Sequence, residues 1–393
     1  MSHLNFKADA HALRDELIAL RRDFHRHPEL AFEEQRTAGI VAQHLTDLGL
    51  EVQRGVGQTG VVAMLEGERS GPTVLVRADM DALPIHEDTG LEFASGTAGK
   101  MHACGHDGHT AIALGVAKLL AGQRQQLAGR IKFVFQPAEE IARGAKAMVA
   151  DGVLANPRPD VSLGLHLWNT LPLGQIAAAE GPVMAGSSDF KIIVQGRGGH
   201  GAIPQLAVDP VVVAAQLVTA FQSIISRNLD PLDSAVLSVT MLRAGEATNI
   251  IPETAELAGT FRFFRSSARD LIAQRLRAIS AALCAALGCT AEVTIVDHTE
   301  PVINDSAVTR QVRLAMSDIL PPAHMHDLRT MGSEDMSLFM SDIPGMYFFV
   351  GAHVEGRDLN WGHHHPRFDF DENALPLGVA LLTAAVASYV LPD

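Results

Sequence analysis

Apolar positions recur at helical spacing over residues 10–25 and again over 34–48, whereas 61–65 and 73–76 are short β-branched runs. Further runs of the second kind follow at 131–135 and 161–167, with helical patterns at 108–120 and 142–149 between them. Strands alternating with helices predict an α/β fold with a mainly parallel sheet flanked by helices. The texture changes at residues 180–188, EGPVMAGSS, whose Gly, Pro and Ser read as a hinge. After it come a strand (189–195), a helix (210–227), two strands (235–242 and 254–263), a helix (268–287) and a strand (290–296). This β-α-β-β-α-β order is the ferredoxin-like α+β pattern, complete in itself. The α/β texture returns from about residue 299. The pattern therefore predicts a split domain, 1–185 with 300–393, and an inserted domain, 186–299.

A chain of 393 residues exceeds one ordinary core, which agrees with two domains. Residues 373–392 carry no charge, but Pro376 and Gly378 leave roughly 15 helical residues, about 22 Å, against a hydrocarbon core of about 30 Å. A buried core helix is the expectation there. Asp and Glu outnumber Lys and Arg by 45 to 31, and no basic run occurs, so nucleic acid and anionic membranes are not expected partners. Three scattered cysteines, and a start with charges where a secretory signal needs an apolar stretch, point to the cytoplasm and free thiols. Cys284 and Cys289 read as core residues.

The chemistry concentrates in four places. MHACGHDGHTA (101–111) sets Cys104 and His106 two apart just before a helix. In an extended stretch such residues face one side and could grip one metal, and the neighbouring His102 and His109 strengthen that reading over a lone buried histidine. KFVFQPAEE (132–140) puts Glu139 and Glu140 at the carboxyl end of a buried strand, where open α/β sheets collect their ligands. One carboxylate could bind metal while the other takes a proton from water, and spacing does not say which. LVRADMDALP (75–84) presents Asp79 and Asp81 on one face, either to pair with Arg77 or to orient a ligand, and GLHLW (164–168) presents His166. NWGHHHPRFDFDE (360–372) offers His363, His364 and His365 without a spacing that chooses among them.

Two GxGxxG matches, GVGQTG (55–60) and GRGGHG (196–201), are followed by VVAML and AIPQ rather than by a helix able to hold a pyrophosphate. A nicotinamide enzyme is thereby disfavoured. No GxSxG elbow or Walker A sequence is present. A cysteine hydrolase using Cys104 and a non-catalytic metal-binding protein stand as alternatives to a metallohydrolase.

RRDFHRHPELAFEE (21–34), RADMDALP (77–84), HACGHDGHTA (102–111), FQPAEE (135–140), GLHLW (164–168), GRGGHGAIPQLAVDP (196–210), GEATNIIP (245–252), MGSEDM (331–336) and HHP (364–366) together resemble the M20 metallopeptidases, in order and over almost the whole chain. Within them, the resemblance is to the aminoacylase, hippurate hydrolase and indoleacetyl-amino-acid hydrolase branch. It implies a discontinuous catalytic domain with an inserted lid and dimerisation domain. It implies that Cys104, His106, Glu140, His166 and His364 hold a pair of divalent metal ions, zinc or manganese with nickel and cobalt also compatible, and that Cys104 bridges them. His364 is the one that stands two before the proline, as in the family. Glu139 would be the general base, with Asp79 and Asp81 behind the ligands. Other branches carry a histidine ligand where this chain has Asp79, and an aspartate at the bridging position. His200 resembles a residue that crosses a homodimer to stabilise the oxyanion in the partner's site. Asn249 and Arg262 resemble positions near the substrate, where a guanidinium suits an amino-acid carboxylate. The implied reaction is hydrolysis of the amide bond of an N-acyl-L-amino acid, with a dipeptidase or carboxypeptidase of the same family as the alternative.

Overall fold

Runs as apolar as those at 131–135 and 161–167 are at home only where both faces of a sheet are covered. The computed structural model, which describes residues 5–358 and 361–391, buries them in one eight-stranded sheet. Its order is Glu51–Val56, Gly60–Glu66, Ala128–Gln136, Arg69–Asp79, Val161–Pro172, Gly345–His353, Ile176–Ala177 and Met325–His326. The four central strands, from Ala128–Gln136 to Gly345–His353, run parallel, with Arg77 opposite Val134 on one side and Gly164 on the other. Antiparallel pairs flank them: Gly60–Glu66 lies between Ala128–Gln136 and Glu51–Val56, and Ile176–Ala177 lies against Gly345–His353. Hydrophobic periodicity does not reveal Glu51–Val56, because an exposed edge strand reading EVQRGV buries almost nothing.

Helices His106–Ala121 and Ala374–Val390 cover the parallel strands. Leu114, Val116, Leu120, Val379, Leu382 and Val386 join Phe133, Phe135, Leu163 and Phe348 in one core. The uncharged C-terminal segment is thus a buried core helix of 17 residues. Its neighbour approaches so closely that a Cβ on Gly115 would sit 2.7 Å from Val379 Cγ2. At the N-terminus the helix expected over 10–25 is two, Phe6–Ala12 and Arg14–Arg26, because the Leu13 amide bonds back only three residues, to the Ala10 carbonyl at 3.1 Å.

Buried charge fastens the C-terminal loop to this layer. Arg21, wholly inaccessible, donates from Nε to Asp107 Oδ2 at 2.9 Å, from Nη2 to Asp369 at 2.9 Å and from Nη1 to Glu372 at 3.1 Å. Its guanidinium lies between the Phe93 and Phe370 rings, 4.6 and 4.3 Å from their centroids. Burial works against the Asp107 carboxylate, but Arg21 and His25 hold its pKa far below the usual range.

The chain divides into two compact units, one comprising the residues up to Val183 with 303–329 and those from Asp335 onward, the other 184–302 with 330–334. The second unit contains Gly186–Gln195, Pro210–Asn228, Ala235–Ala244, Thr254–Phe263, Ser266–Ala286 and Thr290–Thr299. Its four strands are antiparallel in the order Ala235–Ala244, Thr254–Phe263, Gly186–Gln195, Thr290–Thr299, which is the ferredoxin-like topology. Asp209 caps Pro210–Asn228 through the Val211 amide at 2.8 Å. Among the described residues this helix alone is long and apolar enough to cross a membrane, yet Val213, Leu217, Phe221 and Ile224 are buried in the core formed with Phe190, Ile192 and Val194.

Arg21→Met should remove the shared central cation from the buried Asp107 and Asp369 and the part-buried Glu372, and lower stability by about 3–5 kcal/mol. A shift of the urea unfolding midpoint to lower concentration measures it; an unchanged midpoint would show that the cluster carries no net stability.

Candidate metal centre

Parallel strands deliver their last residues to one edge of a sheet, and the chain spends its reactive side chains there. Arg69–Asp79 ends on Asp79 with Asp81 just beyond, Ala128–Gln136 runs into Pro137, Ala138, Glu139 and Glu140, and Val161–Pro172 carries His166. Cys104 and His106 come from the start of helix His106–Ala121. The extended stretch expected at 104–106 is not what unites them: Gly105 turns with φ +90°, a conformation that favours glycine, and His106 is already the first helical residue. Cys104 Sγ and ring nitrogens of His106 and His166 nevertheless lie within 4.8 Å of one another, and Cys104 Sγ is 3.5 Å from His166 Nε2.

Hydrogen bonds fix what each imidazole offers. His106 Nδ1 donates to the Asp81 carbonyl at 2.9 Å and His166 Nδ1 to the Leu167 carbonyl at 2.7 Å, which leaves the Nε2 atom of each ring to face the site. His106 Nε2 is buried without a hydrogen-bond partner among the described residues, 3.7 Å from Asp79 Oδ2, 3.9 Å from Glu139 Oε2 and 3.8 Å from Glu140 Oε1. Glu140 Oε1 is likewise buried without one. Burial pulls the His106 pKa down, but Asp79, Asp81 and Glu140 outweigh it and hold it at about 10. The carboxylates thus demand a positive charge at this spot, and thiolate, imidazole and carboxylate donors together fit a divalent transition metal. Burial and the neighbouring His109 and His363 depress the His166 pKa, which keeps that ring in its neutral, metal-binding form.

Of the three consecutive histidines, His364 turns towards these carboxylates, its Nε2 3.2 Å from Glu140 Oε2. Ligand atoms of Cys104, Glu140 and His364 also lie within 4.8 Å of one another. His363 donates instead to the Leu167 carbonyl at 3.0 Å, and His365 Nδ1 accepts from the Arg367 amide at 3.0 Å. The segment carries His364 at φ +67°, anchored by its amide to the Ala103 carbonyl at 2.8 Å.

A second layer of bonds holds these groups. Asp81 Oδ1 and Oδ2 accept the amides of Glu139 and Glu140, each at 3.0 Å. Asp79 accepts from His109 Nδ1 at 2.6 Å and from Arg77 Nη1 at 2.8 Å, so it both pairs with Arg77 and faces the site. Burial opposes its charge, but His106, His109 and Arg77 keep the carboxyl well below its usual range. His109 Nε2 accepts the Leu167 amide at 2.9 Å, which commits both ring nitrogens to the scaffold. In the sequence patterns His109 is one more histidine and Glu34 has no role. Yet Glu34 is a wholly buried carboxylate that accepts the Ala138 amide at 2.9 Å. Ala138 stands at φ +52°, which costs a non-glycine residue roughly 1–2 kcal/mol, so the turn that aims the two glutamates is held under strain.

In the second unit, Gly199–His200 pairs with Ile250–Ile251, and the Gly201 amide bonds the Asn249 carbonyl at 2.8 Å. His200 and Asn249 are therefore neighbours, both exposed, with Ile203, Leu206 and Ile250 exposed around them. Arg262 stands apart on Thr254–Phe263, half-buried and bonded to Thr260 Oγ1 and the Phe261 carbonyl.

Residues 75–388 match the model of peptidase family M20/M25/M40. The chain is 40% identical over 366 residues to N-acetylcysteine deacetylase of Bacillus subtilis (strain 168), covering 93% of this chain and 94% of that one. It is 39% identical over 385 residues to thermostable carboxypeptidase 1 of Saccharolobus solfataricus, covering 97% of each. Among solved structures it resembles a dinuclear metal-binding M20 peptidase of Bacillus subtilis, with a TM-score of 0.83, 35% identity and coverage of 95% of this chain and 97% of that one.

Burial pushes the Glu34 carboxyl up from its ordinary 4.5 to about 7. Below pH 4.5 the acid is protonated whether the chain is folded or not; between there and about 7 the unfolded chain releases its proton first, so folding loses stability as pH rises. Glu34→Gln imitates the protonated acid. Its Tm relative to the parent protein should therefore climb across that window and level off above it, by an amount equivalent to at most roughly 3 kcal/mol. A Tm difference that does not vary with pH would refute this account.

Proposed function

Because the chain belongs to the M20/M25/M40 peptidase family, we propose that it is a divalent-metal-dependent amidohydrolase that cleaves N-acyl-L-amino acids to a carboxylic acid and a free amino acid. The observation that carries this reading is the cluster around His106 Nε2, where thiol, imidazole and carboxylate donors surround a buried nitrogen and a buried oxygen that make no hydrogen bond among the described residues. Its likeness over nearly full length to a deacetylase of an N-acetylated amino acid supports the substrate class.

Cys104, His106, Glu140, His166 and His364 would hold a pair of divalent ions. The thiolate favours zinc, and the carboxylate and imidazole donors also accept manganese, nickel or cobalt. When bound, such ions lower the pKa of water from about 15.7 towards about 7 and polarise a carbonyl. Glu139 is the general base: its Oε2 stands 3.9 Å from His106 Nε2, and its amide is tied to Asp81, which keeps the carboxylate beside the ligands. It takes the proton of the attacking water and returns it to the leaving amine. Asp79 and Asp81 keep the ligands oriented. His200, from the partner in a homodimer, donates to the oxyanion as it forms, and Arg262 and Asn249 contact the amino-acid part. The enzyme works in the cytoplasm. Cleavage of short peptides is a second reading, favoured by the likeness to a carboxypeptidase.

Removing metal with a chelator should abolish turnover of N-acetyl-amino acids, and adding zinc or manganese should restore it; a cysteine hydrolase would survive the chelator. Glu139→Gln should lower kcat by about 10²–10⁴-fold, and full activity in that variant would refute the base assignment. His200→Ala should also be severely impaired. Mixing it with Glu139→Gln under subunit exchange should restore activity, since hybrid dimers regain one site with both groups. Absence of recovery in proven hybrids would remove His200 from the partner's site. A parallel panel of dipeptides separates the two substrate readings by kcat/KM.

A further inference from the structure

The turn that presents Glu139 and Glu140 makes three successive backbone N–H groups available, and all three are received by carboxylates. Glu139 and Glu140 donate to the two oxygens of Asp81. From the opposite side in sequence, the Ala138 amide donates to Glu34 Oε1 at 2.9 Å. The same oxygen accepts the Phe32 amide at 3.0 Å, and Glu34 Oε2 accepts the Thr59 hydroxyl. Glu34 precedes helix Gln35–Asp47, Thr59 lies just before strand Gly60–Glu66, and that strand pairs Val61 with Phe135 at the foot of the turn. Each atom of the carboxylate is thus fixed by a different part of the scaffold.

We propose that Glu34 is a positioning residue for the catalytic turn, setting through the Ala138 amide the direction in which Glu139 and Glu140 point. It is wholly buried, so it acts through the backbone and touches no substrate. Ala138 adopts φ +52° and Phe32 φ +63°, and Glu34 Oε1 bonds the amides of both, so one carboxylate pins two left-handed residues that would otherwise relax. Relaxation at Ala138 would rotate the peptide that leads into Glu139. Loss of the Glu34 bond would leave a buried N–H unsatisfied, which favours another backbone path. The elevated Glu34 pKa agrees with this arrangement: the fold accepts the cost of burying a carboxyl where its acceptor geometry is needed.

The proposal rests on the reading of Glu139 as base, and the test separates the two. Glu34→Asp keeps the charge but shortens the reach by one methylene, Glu34→Ala removes the acceptor, and Glu34→Gln keeps an acceptor of the same length. Each metal-loaded variant is assayed for kcat and KM on an N-acetyl-amino acid. Each is also compared by amide hydrogen exchange over peptides covering 136–144. Glu34→Asp and Glu34→Ala should lose at least about tenfold in kcat with KM within about threefold, and exchange in 136–144 should quicken while the helix at Ala374–Val390 is unchanged. Glu34→Gln should recover most of the lost kcat and protection. If Glu34→Ala fails to fold, Glu34→Asp and Glu34→Gln decide the matter alone. A folded Glu34→Asp with parental kcat or parental exchange overturns the proposal, as does Glu34→Gln as damaged as Glu34→Asp. An active Glu139→Gln would instead overturn the base assignment, and the exchange data would still report whether Glu34 holds the turn.

Discussion

Negative charge gathered around one buried imidazole is the constraint on which the rest of the first unit depends. Asp79, Glu139 and Glu140 each bring an oxygen within 4 Å of His106 Nε2, with Asp79 and His106 themselves buried. Carboxylates so close repel one another strongly in a medium of low polarity. The arrangement is stable only with positive charge at its centre, supplied by a proton on His106 or by a bound cation. A group of donors that needs a cation is also one that selects for it, because a neutral occupant would leave the repulsion in place.

Holding such groups together requires a scaffold that does not yield. The parallel strands supply the edge, but their side chains would splay without further bonds. Asp79 is held between His109 and Arg77, and Asp81 receives the two glutamate amides. Behind them Arg21 joins Asp107, next to His106 in the chain, to Asp369 and Glu372 in the loop that follows His364. The strained backbone at Ala138 and His364 fits this picture, since uncommon dihedrals persist where surrounding bonds over-determine them. The resulting geometry holds two adjacent carboxylates, Glu139 and Glu140, beside His106 with their amides fixed by Asp81.

The second unit follows a different logic. Strand Thr254–Phe263 alternates buried with more accessible residues, the buried face packing on two helices, and of the unit's candidate residues His200 and Asn249 are exposed while Arg262 is half-buried. Among the described residues, His200 is exposed near Ile203, Leu206 and Ile250, without a partner set comparable to the one around His106, and its proposed role in a second subunit rests on the family resemblance.

Periodicity and local chemistry determined much of this protein. Alternating β-branched and helical runs give the parallel core and the ferredoxin-like unit, because both periods follow from backbone geometry that each segment carries with it. The motifs at 101–111, 132–140 and 164–168 also declare their reactive residues, since those must sit at strand ends or helix starts. Tertiary structure alone decided the rest. Nothing in the spacing says that His109 spends both nitrogens on the scaffold, that His106 keeps one for the site, or that Glu34 meets an amide 104 residues away. Those outcomes depend on which buried polar atoms find partners across the fold, a contest settled by three-dimensional packing and not by the local sequence.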